Sequence, residues 1–221
     1  MKFSKKKVVV SAVALSLAAI LSAGTLAWFS AKDSVKNEFY IADSDDTNPE
    51  DIFSVDVWEN VDPDGDGQPE RTDDGATYAD VLPGTTYAKE PHVENTGYYD
   101  QYIRVIVTIS DMQAWVDAMG ADYKFEDCFV GFDEDMWKYI GVNRYADTDE
   151  IQVVLYYDGV LESGKDVTLF TDVKIPETLT QEQAAAFKGG FTIDVKAQAV
   201  QTENVGVDAY EAFRTVGMEL C

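Results

Sequence analysis

The densest group of candidate ligands is an acidic loop of twelve residues, Asp62 to Asp73, with the sequence DPDGDGQPERTD. Asp62, Asp64 and Asp66 take its first, third and fifth positions, and alternate carboxylates of this kind converge on one ion in calcium-binding loops. The glycine at the sixth position permits the sharp bend that such loops need. The pattern predicts a structural calcium site of the millimolar affinity typical of extracellular modules.

The remaining predicted ligands are Gln68, through its backbone carbonyl, Glu70, and Asp73 at the twelfth position. The loop departs from the standard pattern because Asp73 replaces a bidentate glutamate and neither flank has a helical pattern. The alternative is a solvated acidic turn, because Asp, Gly and Pro are good turn residues in any context. We therefore predict a calcium-bound loop between strands and leave the plain turn open.

Residues suited to catalysis are scarce. The single histidine, His92, excludes the usual helical zinc protease, which needs two histidines one turn apart and a nearby glutamate. No Gly-x-Ser-x-Gly or phosphate-binding loop is present, and Cys128 lies among acids and aromatics, which indicates buried packing. The many carboxylates leave a glycosidase pair open, but nothing singles one out. We expect a protein that is not an enzyme.

The elements that would position these residues are mainly strands. Apolar and polar side chains alternate with period two, which is typical of strands with one face on a core, around residues 53–57, 103–109, 151–157, 167–175 and 191–199. Short helices are predicted after capping patterns at Ser110 and Thr180, and at 133–139 and 209–216. Residues 51–221 are therefore predicted to form one all-β, mainly antiparallel sandwich domain with a few short helices.

The first 27 residues have the basic, apolar and small-residue order of a secretory signal helix. Its removal near Ala27 takes away four lysines and no acid, so the net charge changes from −24 to −28. Such an acidic mature chain repels nucleic acid and anionic membranes and attracts divalent cations. We expect an exported protein that meets the membrane only through this segment. An uncleaved anchor is the alternative.

Residues 28–50 are predicted to hold a short strand, Ser34 to Ala42, and a flexible acidic connector. Val35, Phe39 and Ile41 share one side of the strand, with Asn37 between them. The strand could pair with its own sheet or detach and pair elsewhere. Cys128 and Cys221, the only two cysteines, could form a bridge or remain thiols.

Several short motifs, in this order, resemble the TasA/camelysin group of biofilm-matrix and surface proteins, which depend on a SipW-type signal peptidase. The resemblance covers about two-thirds of the chain and is carried by Gly24 to Ser30 with Asn37-Glu38-Phe39, Leu82 to Thr85, His92 to Gly97, Tyr102 to Val105, Lys174 to Thr180, and Phe191 to Gln201. Residues 111–149 and the acidic loop fall outside the pattern.

The resemblance implies a jelly-roll-like sandwich, exported by a Gram-positive bacterium, whose mature N-terminal strand completes a sheet in the next subunit of a fibre. Val35, Phe39 and Ile41 would be the inserted side chains, as an open sheet edge accepts an extended segment and pockets accept its alternate side chains. Expected partners are other copies of the chain, the signal peptidase, and matrix proteins or glycans.

Two alternatives remain open at this point. One is a monomeric adhesin or glycan-binding module, with stacking faces offered by Trp58, Tyr98, Tyr99, Tyr156 and Tyr157. These aromatics could equally pack in the core of the sandwich. The other alternative is a protease like camelysin, which the single histidine disfavours.

Overall fold

The computed structural model describes residues 30–32, 53–120, 123–187 and 190–218. Eleven strands are present in this part of the chain: β1 Ser30–Lys32, β2 Val55–Val61, β3 Glu70–Thr72, β4 Thr86–Asn95, β5 Gln101–Ser110, β6 Phe129–Val130, β7 Trp137–Tyr145, β8 Glu150–Tyr157, β9 Asp166–Thr168, β10 Asp172–Lys174 and β11 Ile193–Gln201. Three short α-helices accompany them: α1 Met112–Met119, α2 Gln181–Ala184 and α3 Ala209–Thr215.

The strands form two antiparallel sheets. The first has the order β1-β11-β5-β8-β7, and the second has the order β3-β2-β4-β10-β6, with β9 also paired to β4. In the first sheet, β11 and β5 pair along their whole length, from Ile193 opposite Ile109 to Gln201 opposite Gln101. The predicted fold class is confirmed at this level: the protein is mainly antiparallel β, with two sheets.

The main core lies between the two sheets, because each strand turns its apolar alternate residues inward. Val105 and Leu155 represent the first sheet, Val93 and Val167 represent the second, and all four are at most 5% exposed. Trp115 of α1 and Phe170 close this core at its sides. Among the described residues no helix is long and apolar enough to cross a bilayer.

A second, smaller core covers the outer face of the first sheet. Helix α3 places Phe213, which is fully buried, against Tyr156 and Val200. Arg104 lies beneath this helix at 3% exposure, donates from Nη1 to the backbone carbonyl of Met218 at 2.5 Å, and from Nε to Gln198 at 2.8 Å. The C-terminal helix is thus pinned to the sheet by both apolar packing and a buried guanidinium.

Two local predictions are wrong. Residues 133–139 form one hydrogen-bonded turn, closed by the Trp137 amide donating to the Asp133 carbonyl, and then enter β7. The predicted strand over 167–175 is divided into β9 and β10. Both pair with β4, on either side of Pro91, which has no N–H to donate and so interrupts the ladder.

Candidate functional site

The acidic loop lies at the tip of the hairpin formed by β2 and β3. Val61 opposite Glu70 is the last pair of that hairpin, so residues 62–69 form the connection. The Asp62 carboxylate accepts three backbone N–H groups, from Gly65 at 2.9 Å, Asp66 at 3.1 Å and Gly67 at 2.8 Å. These bonds, with the one from Gly67 foremost, lower the pKa of Asp62 below its usual value. The loop is therefore organised around an ionised carboxylate.

Three of the predicted calcium ligands come together and the others do not. Carboxylate oxygens of Asp62, Asp64 and Asp66 lie within 4.8 Å of one another, and no other such group of acids, histidines or cysteines occurs in the described ranges. Gln68 donates its backbone N–H to Asp66 at 2.8 Å. Glu70 begins β3, and Asp73 lies one residue beyond β3, where it faces Arg71 at 3.7 Å.

This donor set fits a divalent cation in part. Carboxylate oxygens are the ligands that Ca²⁺ prefers, and three converge here. Because the ladder of β3 carries Asp73 away from the loop, the ligand set is shorter than the twelve-residue spacing predicted. Backbone carbonyls and water would have to complete the six to eight oxygens that Ca²⁺ takes.

Within the described ranges, one edge of the first sheet is paired over only part of its length. Strand β1 lies beside β11 from Ser30 opposite Val200 to Lys32 opposite Gln198. Beyond that point, from Ala197 back to Ile193, no strand of the described ranges lies on this side of β11. Among the described strands this stretch of edge has no partner on that side, and a strand edge of this kind can pair with an added strand.

A groove of about 790 Å³ runs along this unpaired stretch. Its β11 side is formed by residues 190–196, in which Phe191, Ile193 and Val195 are half-buried. The opposite side comes from the second sheet and the loop after β3, and its apolar members are Val57, Tyr78, Val81, Tyr87, Val173 and Ile175. The groove thus has an apolar lining between two sheets and, among the described strands, one backbone edge without a partner.

A buried ion pair also lines the groove. Glu59 of β2 and Lys89 of β4 both point between the sheets, with side chains only 10% and 11% exposed, and Lys89 Nζ lies 2.5 Å from Glu59 Oε1. The second carboxylate oxygen, Glu59 Oε2, is shielded from water and has no hydrogen-bond partner among the described residues. A buried carboxylate oxygen without a donor is costly, so the Lys89 cation is the main compensation for this buried charge.

Tyr78 lines the same groove, and its pKa is affected by the charge of Glu59. Its hydroxyl donates to the Ala88 carbonyl at 2.5 Å. Burial, and then the charges of Glu59 and Asp62, raise the pKa of Tyr78 to about 12. The groove is therefore an environment in which further negative charge is disfavoured.

His92 lies on the outer face of the second sheet. Its ring stacks on Trp58 with centroids 3.8 Å apart, its Nδ1 lies 2.8 Å from Asp166, and its Nε2 lies 3.5 Å from Glu90. Arg71 covers the Trp58 ring at 4.2 Å. His92 is thus held in a stacked, hydrogen-bonded ladder, and Trp58 offers no free ring face to a sugar.

The other candidate aromatics divide by exposure. Tyr156 is buried under α3, and Tyr157 packs against Trp137, with ring centroids 5.6 Å apart. Tyr98 and Tyr99, in the turn between β4 and β5, are 60% and 57% exposed. Only these two of the predicted stacking residues present most of their surface to solvent.

Several predictions concern residues outside the described ranges. The signal segment 1–27 and the strand residues Val35, Phe39 and Ile41 lie there, and so does Cys221. Cys128 is buried, with Sγ 3.1 Å from the Tyr123 hydroxyl. The cysteine bridge and the N-terminal strand stay predictions.

Glu59 and Lys89 are the site residues that sequence reasoning missed. The signal was present, since Glu59 falls in phase with Val55, Val57 and Val61, on the inward side of a strand that was otherwise correctly interpreted. A charge at an inward position is unusual enough to mark a site.

Comparison of the chain with protein-family models, curated proteins and solved structures finds no match.

Proposed function

We propose that this chain is an exported, non-enzymatic structural subunit that assembles into fibres, with residues 34–42 of one copy filling the groove beside β11 of the next. We further propose a jelly-roll-like arrangement for the two sheets, as in the TasA/camelysin group. The observation that carries the proposal is the stretch of β11, from Ile193 to Ala197, that no described strand pairs on the side opposite β5; it lies directly in line with β1 and opens onto an apolar groove.

The register of β1 supports the choice of segment. Continued one residue at a time from Lys32 opposite Gln198, it sets Val35 opposite Val195 and Phe39 opposite Phe191. Residues directly opposite in an antiparallel pair share a face, so both apolar side chains would point into the groove. The stretch 190–196, which lines the groove and runs into β11, corresponds to residues 34–40. This agrees with the strand predicted from the amino-acid pattern alone.

The chain length allows the strand to serve either its own groove or a neighbour's. Ser54, just before β2, accepts hydrogen bonds from Gly97 and Gln101, at the end of the sheet where Gln201 completes β11. In this register residue 40 would lie opposite residue 190, about 36 Å from that end, since the chain rises about 3.3 Å per residue in a strand. Residues 40–54 reach roughly 46 Å when extended. Closed and exchanged forms would use the same contacts, which is the condition for swapping.

Export and acidity support a role outside the cell. The basic, apolar and small-residue order of residues 1–27 is typical of a secretory signal, and the whole chain carries a net charge of −24. A fibre of such subunits needs strong local contacts to overcome charge repulsion. Backbone pairing and apolar insertion at the groove would supply them.

We propose calcium as a structural cofactor of the hairpin tip. Asp62, Asp64 and Asp66 would hold it, and Gln68 would offer its backbone carbonyl. Bound calcium would neutralise the mutual repulsion of the three carboxylates. Residues 73–78, which follow this hairpin, form part of the groove wall. A rigid hairpin would therefore help to define the groove.

A glycan-binding module is the second candidate, favoured by one observation. Tyr98 and Tyr99 stand exposed in the turn between β4 and β5, and Tyr99 stacks on Phe53 at 5.6 Å. Exposed aromatic rings are suited to stacking on sugars. Binding to matrix polysaccharide that is lost in a Tyr98→Ala, Tyr99→Ala double variant and retained without residues 34–42 would favour this role.

The decisive experiment compares residues 28–221 with the same protein lacking 34–42, by electron microscopy and size-exclusion chromatography. Regular filaments are expected only from the complete mature chain. Phe39→Asp, which would place a charge in the groove, should also prevent them, whereas Tyr40→Asp, on the opposite face, should not. Filaments from the deletion variant, or none from the complete chain, would overturn the proposal.

A further inference from the structure

Four aspartates of the chain are each followed directly by glycine: Asp64, Asp66, Asp74 and Asp158. This dipeptide permits a spontaneous change of the backbone. The glycine nitrogen bonds to the side-chain carboxyl carbon of the aspartate, the amide proton and the carboxyl hydroxyl leave as water, and a five-membered succinimide forms. Water then reopens the ring at either carbonyl, which restores aspartate or leaves isoaspartate, whose main chain is longer by one carbon. Glycine favours ring closure because it has no side chain to hinder it.

We infer that Asp74 isomerises in the folded protein, whereas Asp62 protects Asp64 and Asp66 from the same reaction. Ring closure needs a glycine nitrogen that can lose its proton and move onto the neighbouring carboxyl carbon. A nitrogen whose N–H is held by an acceptor must first break that hydrogen bond. The inference goes beyond the proposed function and applies to a single molecule as well as to a fibre.

The Asp62 carboxylate holds both nitrogens that would attack in the acidic loop. It accepts the Gly65 N–H at 2.9 Å and the Gly67 N–H at 2.8 Å. These are the nitrogens that would close a ring onto Asp64 and Asp66. Hydrogen bonds to an ionised carboxylate are stronger than neutral ones, and these bonds themselves lower the pKa of Asp62 and keep it ionised. Both ring closures are therefore opposed by the fold of the loop.

The turn after β3 gives Gly75 no such protection. The Thr72 hydroxyl accepts the Asp74 N–H at 3.1 Å and donates to the Gly75 carbonyl at 3.4 Å. Within the described ranges no acceptor holds the Gly75 N–H. Asp74 and Gly75 are both exposed, and the space beside the glycine α-carbon is open. The Gly75 nitrogen is therefore able to turn onto the Asp74 carboxyl group.

Asp158 is restrained by contacts of a different kind. Its carboxylate lies 3.3 Å from Lys138 Nζ, and this pairing favours the ionised form, which is a poor electrophile. The following Gly159 packs against the Tyr157 ring so closely that a Cβ there would lie 3.0 Å from a ring carbon. This turn has little room to close a ring, so Asp158 should react more slowly than Asp74.

Isomerisation at Asp74 would alter the groove beside β11. Residues 73–78 form part of its wall, and isoaspartate adds a backbone carbon within that stretch. The carboxyl group of residue 74 would also become a shorter branch from the main chain. The shape of this wall would therefore change with the age of the molecule.

The test measures isoaspartate at each of the four positions in the mature chain 28–221. The protein is aged at neutral pH with chelator, once folded and once in urea, and is then analysed by enzymatic methyl labelling and peptide mapping. In the folded chain, Asp74 should isomerise about tenfold faster than Asp64 or Asp66, because one charge-assisted hydrogen bond must break at each of those two. In urea, where the fold no longer distinguishes them, the four rates should become similar.

Asp62→Ala tests the protection directly. Removal of the acceptor should raise the rates at Asp64 and Asp66 about tenfold in the folded chain and leave the rate at Asp74 unchanged. Glu70→Ala is the matched control, since it removes the same charge from the same hairpin but accepts no hydrogen bond from Gly65 or Gly67 in the structure. This variant should change none of the rates.

Equal rates at Asp64, Asp66 and Asp74 in the folded chain would overturn the inference. So would isoaspartate at Asp158 ahead of Asp74, or rates in the acidic loop that do not respond to Asp62→Ala. Filament formation does not enter the measurement, so either result leaves the fibre proposal to its own test.

Discussion

Two cations are buried beside the sheets in the part of the chain that the structure describes, and their surroundings differ. Arg104, on the outer face of the first sheet, is covered by α3 and has neutral partners: Gln198, Tyr156 and the Met218 carbonyl. Lys89, between the sheets, is bound to Glu59, whose second oxygen lacks a partner there. The outer face is covered by a helix of the same chain, whereas no described segment covers the groove.

The difference is between a sheet face that is covered and a groove that no described segment covers. On the finished face, Phe213 packs its ring 4.5 Å from the Arg104 guanidinium, which combines apolar burial with cation–π attraction. In the groove, the apolar residues of β11 are only half-buried and one backbone edge is open among the described strands. Perturbing each region in turn should therefore give different effects on folding and on assembly.

The largest effect is expected from breaking the finished face with Phe213→Ala. The ring is fully buried and lies 5.5 Å from the Tyr156 ring, so its removal leaves a cavity above Arg104. The free energy of unfolding should fall by about 3–5 kcal/mol, as measured by urea denaturation. Tyr210→Ala, at a side chain that is 45% exposed, should cost less than about 1 kcal/mol. Equal losses would contradict the assignment of Phe213 to a closed core.

The next effect comes from the groove. Lys89→Met leaves the Glu59 carboxylate buried without its cation and should destabilise the protein by about 3 kcal/mol. The double variant Glu59→Leu, Lys89→Met removes both charges and should recover to within about 1 kcal/mol of the original stability. Thermal and urea unfolding would show both results. A double variant as unstable as the single one would mean that the pair is needed for packing and not for charge balance.

The phenol of Tyr78, which lines the groove, provides a test by pH. Its folded-state pKa is about 12, above the usual value of 10.0, so the unfolded chain loses this proton first as pH rises. The stability from the neutral phenol is complete below pH 10 and is lost as pH rises toward 12. For this partly exposed ring the loss should be about 1 kcal/mol after solvent screening. Between pH values of about 9 and about 11.5, the free energy of unfolding should therefore fall by about 1 kcal/mol more in the original protein than in Tyr78→Phe. Parallel curves would contradict the assignment.

Calcium should give the smallest effect. At about 2 mM Ca²⁺ and a dissociation constant of about 1 mM, the unfolding free energy should rise by about 0.6 kcal/mol. Asp64→Asn, within the cluster, should abolish this gain, while Asp73→Asn, outside it, should retain it. The measurement is the shift in melting temperature between calcium and chelator. The same response in both variants would exclude the three-aspartate site.

Period-two patterning was sufficient to predict most of the sheet framework. The stretches 103–109, 151–157 and 191–199 correspond closely to β5, β8 and β11, because each has one face on the core. The capping pattern at Thr180 is confirmed by reciprocal bonds between Thr180 and Gln183. At Ser110 it fails, because Asp111 adopts a left-handed backbone and Asp149, distant in sequence, accepts the Gln113 amide instead. Tertiary contacts replaced the local ones.

The candidate site divides in the same way. The three converging aspartates depend on a local turn, and a local pattern was enough to find them. The position of Asp73, outside the aspartate cluster, depends on where β3 pairs with β2. The Glu59–Lys89 pair joins residues that are 30 positions apart in the sequence. The groove depends on β11 lying next to β1. Contacts of this kind follow from strand order, which the pattern of one sequence does not encode.

The pairing of β1 with β11 joins residues about 170 positions apart, near the two ends of the chain. A ribosome makes the N-terminal segment first, so this segment exists for many seconds before its own partner strand is made. If residues 34–42 exchange between copies as proposed, a completed copy nearby could receive the strand of the new chain during that interval. Timing and local concentration would then decide whether a subunit closes on itself or joins another: slow synthesis in a crowded space would favour chains, and fast synthesis in dilution would favour single closed molecules.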